Sequence, residues 1–254
     1  MNALQDKIIL VTGASGGIGQ EASSMFAAAG AKVMMLDLNE QALTEAAATI
    51  SAAGGVVEPI SINITDEHQV SQVIDGIVER HGRLDGAFNN AGIEQSNKPL
   101  HELPRASWDK VIAVDLTGAF LCMKHEIRVM LKTGGGSIVN TASGLGVVAA
   151  EAASDYIAAK HGVIGLTKAA AIDYAKLGIR VNAILPGIVE TPMIMRLSGE
   201  PAFTSQFEAM RERHPMGRFA QPAEIAAGVL WLLSDASSFV TGASMPIDGG
   251  FLAV

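Results

Sequence analysis

The chain has 254 residues, is 49% hydrophobic and 17% charged, and carries 27 glycines spread from end to end with a formal net charge of −8. This length and composition suit a compact α/β enzyme and exclude a disordered chain, while the acidic balance argues against nucleic-acid or anionic-membrane partners, both of which demand a basic face. The lone cysteine, Cys122, rules out an intrachain disulfide, reads as a core residue of an apolar run, and points to a reducing, cytoplasmic compartment.

In chain order, residues 1–7 include Asp6 and Lys7 and do not read as a signal peptide. Ile8–Val11 is a short β-branched run ending in Thr12-Gly13, and an amphipathic segment follows from Gly17 to near Gly30: a buried strand, a glycine turn and a helix. Ala31–Leu36 predicts a second strand, Asn39–Ala53 an alanine-rich helix capped by Asn39, and Val56–Ile62 a third strand. Asp66–His81 reads as helix, Leu84–Asn89 as a fourth strand, Ser107–Leu131 as one long helix and Ser137–Thr141 as a fifth strand. The uncharged stretch 133–150 is broken by glycines, Ser and Asn and is no membrane span. Glu151–Lys176 is the next helix and Arg180–Ile184 the next strand. An irregular region follows over Pro186–Phe219, then a helix opened by Pro222 and a last strand near Ala243–Ile247. Strand and helix alternate over the whole length without a linker or repeat. That predicts a single-domain, α/β Rossmann fold over 1–254: a doubly wound parallel sheet of about seven strands with helices on both faces.

Three places carry chemistry. Thr12-Gly13-Ala14-Ser15-Gly16-Gly17-Ile18-Gly19 lies between the first strand and the first helix, where glycines let the backbone approach a pyrophosphate and the helix N-terminus offers it free N–H groups. Asp37 ends the second strand 18 residues beyond Gly19, close to the separation at which a carboxylate takes adenosine ribose hydroxyls. Neither Ser15 nor Leu38 offers a cation for a 2′-phosphate. A carboxylate about 4 Å from that phosphate costs on the order of 1–4 kcal/mol, so the cofactor is expected to be NAD rather than NADP. Third, Tyr156 and Lys160 are four apart and share a helix face, with Ser143 upstream. An ammonium near a phenol lowers its pKa from ~10 toward the range of a proton-transfer catalyst, and a serine hydroxyl donating to the same oxygen completes an acid/base site. His68, His81, His101, His125, His161 and His214 form no HExxH and have no cysteine partner, so no metal is expected.

With these motifs in this order, the sequence resembles the short-chain dehydrogenase/reductase family over nearly its whole length. The resemblance adds Asn89-Asn90-Ala91-Gly92, which in the family stabilises the sheet and lies along the cofactor. It also adds Asn182 as a structural asparagine and the segment Pro186, Gly187, Val189 and Thr191 around the nicotinamide. It implies that Tyr156 moves the proton, that Lys160 lowers the Tyr156 pKa and holds the nicotinamide ribose, and that Ser143 polarises the substrate oxygen. Two positions depart from the family pattern. Asn63-Ile64 stands where an aspartate usually accepts from the adenine amino group, and the asparagine carbonyl is expected to accept in its place. Asp115 stands at the fourth catalytic position, where the family usually has asparagine.

Candidate substrate residues are Ile93, Glu94 and Gln95, then Leu145, Val147 and Glu151, and the loop 188–216, which is rich in adaptable apolar side chains such as Met193 and Met195. They favour a small hydrophobic alcohol or ketone. A 3-oxoacyl-thioester reductase is the alternative enzyme, and Asp37 and the net charge count against it. A non-catalytic dinucleotide-sensing scaffold is the alternative of another class, and the intact Ser143, Tyr156 and Lys160 count against that. The helices Ser107–Leu131 and Glu151–Lys176 are apolar on more than one face, and the resemblance implies that they pair between subunits of a homotetramer.

Overall fold

The computed structural model describes residues 3–191, Ile194 and residues 204–254. A seven-stranded parallel sheet runs in the order β3-β2-β1-β4-β5-β6-β7. Its strands are β1 (Ile8–Thr12), β2 (Lys32–Asp37), β3 (Val56–Ser61), β4 (Gly86–Asn89), β5 (Gly136–Thr141), β6 (Ile179–Pro186) and β7 (Ser244–Ile247). The helices are α1 (Gly17–Ala28), α2 (Glu40–Ala52), α3 (Glu67–His81), α4 (Arg105–Ile112), α5 (Ala119–Thr133), α6 (Ser154–Tyr174), α7 (Thr204–Glu212) and α8 (Pro222–Leu233).

Alternation along the strands sorts the core into two layers. In β1, Ile9 and Val11 face α1, α2 and α8, meeting Phe26, Leu43, Ile50, Ile225 and Val229. Ile8 and Leu10 face the opposite way, toward Ile74 and Ile77 of α3 and Met123, Ile127 and Met130 of α5. The strand order reverses direction at β1, flanked by β2 and β4, so the crevice for a ligand opens beyond the C-terminal ends of these strands.

Local signals explain the starts of α2 and α3. Asn39 Oδ1 accepts from Ala42 N at 3.1 Å and starts α2, and Asp66 Oδ1 accepts from His68 N at 3.0 Å and starts α3. Three expectations change. The single long helix is two helices, α4 and α5, joined by a π-helical turn over Ala113–Gly118. The next helix begins at Ser154 rather than Glu151, because Ala152 adopts φ of 55°. The region expected to be irregular contains α7, and β6 runs on to Pro186, which pairs with Ile247 of β7. Among the described residues no helix is long and apolar enough to cross a membrane.

Candidate active site

The glycine turn is shaped by space. Gly13 has φ of +65°, and a Cβ there would lie 2.9 Å from Ala91 Cα; a Cβ on Gly19 would lie 2.0 Å from the Gly13 carbonyl oxygen. Thr12 ties this turn to the end of β4, its Oγ1 accepting from Asn90 N and Ala91 N, both at 3.0 Å. Asn90 Nδ2 donates back to the Thr12 and Gly13 carbonyls, each at 3.3 Å. No side chain caps α1 at Gly16, which leaves its first-turn N–H groups open to an anion.

Asp37 is fixed beside the turn: Oδ2 accepts from Ser15 N and Oδ1 from Asn39 N, both at 3.0 Å. Leu38 next to it is exposed and brings no cation. Thr191 lies over the start of α1, since a Cβ on Gly17 would sit 3.1 Å from its Cγ2. Pro186 and Gly187 continue β6, with Gly187 N donating to the Ile247 carbonyl at 3.1 Å. The side chain of Val189 is buried in the core, and Ile18 packs partly against it, so these two can reach a ligand chiefly through their main chain. Ile64 is buried as well. Asn63 Oδ1 accepts from Thr65 N at 3.0 Å and Thr65 Oγ1 at 2.8 Å, which fills its lone pairs and leaves the donor Nδ2 as the remaining polar group. These residues suit a dinucleotide: at Gly13 and Gly19 there is room only for backbone, with open N–H groups on one side of the turn and a pinned carboxylate on the other.

Beyond the turn, α6 carries Tyr156 and the buried Lys160. The Lys160 Nζ stands 5.3 Å from the Tyr156 ring centroid, donates to the Thr141 carbonyl at 3.1 Å and pairs with Asp115 Oδ2 at 3.2 Å. The π-helical turn brings Asp115 here, and its Oδ1 accepts from Ile93 N at 2.8 Å. Burial pushes the Asp115 carboxyl above the usual carboxylate range against the pull of the Lys160 ammonium. For Lys160, burial works against the charge, but Tyr156 and Asp115 outweigh it and hold the ammonium pKa above its usual value. Gly92 borders the pair: a Cβ there would lie 3.2 Å from Asp115 Oδ2 and 3.4 Å from Lys160 Nζ. Ser143 follows β5, and its Oγ accepts from Leu145 N at 3.1 Å, which leaves its proton for another acceptor.

Behind the site lies a buried polar chain. Asn89 Nδ2 donates to Glu126 Oε2 and Asn140 Oδ1, both at 3.0 Å, and Asn140 Nδ2 donates to Thr167 Oγ1 at 2.9 Å. Burial pushes the Glu126 carboxyl up to about 8, the Asn89 hydrogen bond opposing only part of that.

Of the expected substrate residues, Glu94 and Glu151 are exposed and Gln95 and Leu145 half-buried. Met193 and Met195 lie outside the described residues. Among the described residues no cluster of metal-ligating side chains occurs. Sequence reasoning missed Asp155, a buried acid one position before Tyr156. The only signal for it was an acid in the first turn of a helix expected to be apolar.

Comparison with known proteins agrees with this geometry. A family model described as enoyl-(acyl carrier protein) reductase matches residues 13–252. A 2,5-dichloro-2,5-cyclohexadiene-1,4-diol dehydrogenase of Sphingobium indicum is 43% identical over 255 residues, covering 100% of each chain. A cyclohexanol dehydrogenase of Acinetobacter sp. is 40% identical over 252 residues, covering 98% of this chain and 96% of that one. The crystal structure of levodione reductase superposes with a TM-score of 0.94 at 38% identity, covering 99% of both chains. The chain belongs to the short-chain dehydrogenase/reductase family and is an oxidoreductase acting on CH–OH and C=O groups.

Proposed function

We propose that this member of the family is an NAD-dependent dehydrogenase/reductase of hydrophobic, cyclic secondary alcohols and ketones. The observation that carries the chemistry is the Lys160 ammonium held 5.3 Å from the Tyr156 ring. Burial leaves that cation little water to screen it, so it acts on the phenol. In the reductive direction Tyr156 gives its proton to the carbonyl oxygen, and Ser143 donates a hydrogen bond to the same oxygen as negative charge develops there. In the oxidative direction the phenolate takes the alcohol proton. When bound at the glycine turn, the nicotinamide cofactor supplies or accepts the hydride at the substrate carbon. The Asp37 carboxylate supports NAD over NADP through its fixed position beside Ser15.

The cyclic class is supported by the names of the diol dehydrogenase, cyclohexanol dehydrogenase and levodione reductase that the chain resembles. The acyl-thioester alternative draws on the description of the matching family model, and a net charge of −8 disfavours docking of an acidic carrier. We further infer that residues 1–254 act as one cofactor-binding and catalytic domain, in a cytoplasmic homotetramer. The exposed apolar residues Ile172 of α6 and Phe120 of α5 support the assembly. An NADH-oxidation panel over cyclic ketones, aryl ketones, steroids, quinones and acetoacetyl thioesters tests the substrate class. Cyclic ketones should give the highest kcat/KM, with affinity rising with apolar area until the pocket is filled. A preference for the thioester would overturn the assignment.

A further inference from the structure

Asp155 is a buried acid with no part in the proton transfer described above. It is 1% exposed and immediately precedes Tyr156. Its Oδ1 accepts from Tyr156 N at 2.8 Å, and its Oδ2 accepts from Ser96 N at 3.2 Å and from the Ser96 hydroxyl. Two of these donors are backbone N–H groups on different segments, so the Asp155 side chain ties the start of α6 to residue 96.

Ser96 belongs to the segment Ile93–Lys98, and that segment is anchored again at its other end, where Ile93 N donates to Asp115 Oδ1 at 2.8 Å. Past Ser96, Lys98 forms a parallel bridge with Ala153. The two strands of this clasp contain Asn97 at φ of 54° and Ala152 at φ of 55°. Asparagine tolerates left-handed backbone, but at Ala152 it persists only where surrounding contacts over-determine it. One anchor is thus the carboxylate paired with Lys160, the other the carboxylate bonded to the Tyr156 backbone. Glu94 and Gln95 are the short span between them.

We propose that Asp155 is a positioning residue that determines substrate specificity by clamping Ile93–Lys98 as a rigid wall beside the Tyr156 phenol. The inference rests on the proton-transfer reading of the site. A wall fixed at both ends discriminates by shape, so a compact ring is held against Tyr156 while a bulkier one is refused. Releasing one anchor weakens the hold on the compact ring and relaxes the refusal of the larger one.

The test compares the wild type with Asp155→Asn and Ser96→Ala, using cyclohexanone and a bulkier cyclic ketone with NADH. Asparagine keeps an oxygen for Tyr156 N but turns a donor toward Ser96 N–H, so that bond is lost, only the Ser96 hydroxyl can still pair, and the clamp is weakened while the Tyr156 contact stays. Ser96→Ala removes the hydroxyl from the loop side and leaves Asp155 and Tyr156 in place. For Asp155→Asn the KM for cyclohexanone should rise about tenfold, with kcat within about threefold and the KM for NADH within about twofold. The preference for the smaller ketone should shrink in parallel. Ser96→Ala should move the same quantities in the same direction by about threefold, and the double variant should be no worse than Asp155→Asn. If Asp155→Asn fails to fold, the Ser96→Ala result decides. Unchanged ketone KM and size preference in an active Ser96→Ala enzyme would overturn the proposal, as would an Asp155→Asn enzyme that loses kcat at constant KM. A wild type that reduces no ketone would instead overturn the proposed function, and this inference with it.

Discussion

Replacing Asp115 by Asn probes how the charges around Tyr156 set the working pH. Asp115 Oδ2 lies 3.2 Å from Lys160 Nζ, and Lys160 Nζ lies 5.3 Å from the Tyr156 ring centroid. At an effective dielectric of about 20, the ammonium acts on the ring with roughly 3 kcal/mol in favour of the phenolate. The Asp115 anion, no farther from the ring than those two distances end to end, opposes it with roughly 2 kcal/mol at the same dielectric. The half-buried position of Tyr156 lets water screen part of this, so removing the anion should favour the phenolate by a fraction of that energy. The amide oxygen of the substituted side chain still accepts from Ile93 N, which keeps the neighbouring segment in place. Alcohol oxidation needs the phenolate, so its rate rises with pH. The rising limb of kcat/KM at saturating NAD should therefore move toward lower pH, while activity at the plateau stays within about tenfold, or ~1.4 kcal/mol of barrier. A limb that stays in place or moves up would refute the electrostatic reasoning. Loss of turnover as complete as in Tyr156→Phe, with fold and NADH binding intact, would show that the carboxylate has a catalytic function of its own.

Three further outcomes follow from the same geometry. The pinned Asp37 carboxylate should make kcat/KM at least about tenfold higher with NADH than with NADPH, and Asp37→Ala should narrow that gap; equal use of both cofactors by the wild type would sink the assignment. The folded-state pKa of Glu126, raised from 4.5 to about 8, means that its contribution to stability is fully present below 4.5 and is lost as pH rises toward 8. Linkage bounds that loss at roughly 5 kcal/mol, so the wild-type Tm should fall from pH 5 to pH 8 and the profile of Glu126→Gln should be flatter; identical slopes would contradict a buried neutral acid. Ile172, 82% exposed on the single chain, should matter little to the monomer, so Ile172→Glu should reduce the mass measured by light scattering if α6 pairs between subunits, and an unchanged mass would contradict pairing through α6.

The elements were legible where one residue type has one local use. Asn39 and Asp66 cap the helices they were expected near, and the alternation of Ile8, Ile9, Leu10 and Val11 sorts onto opposite faces of the sheet. Ser15 and Asp37, 22 residues apart, meet because a strand-turn-helix-strand unit leaves them little choice. The π-helical turn at Ala113–Gly118 was not legible, since one extra residue in a turn leaves an apolar helix looking apolar. That turn nonetheless swings Asp115 onto Lys160. The Asp155–Ser96 clasp escaped for another reason: it joins residues 59 apart through a side chain whose type is common at helix starts. The helix Thr204–Glu212 is short and mostly polar, in a stretch dense in methionine and proline that reads as loop.

The central claim is that Tyr156 moves the proton while the cofactor site at the glycine turn works independently of it. The direct measurement is cyclohexanone-dependent NADH oxidation by wild type and Tyr156→Phe, with NADH binding followed by fluorescence in both. Phenylalanine keeps the ring and removes only the hydroxyl, so the account predicts turnover in the wild type, its near-complete loss in Tyr156→Phe, and NADH dissociation constants that agree within about threefold. Ketone reduction by Tyr156→Phe at a rate close to the wild type would contradict it.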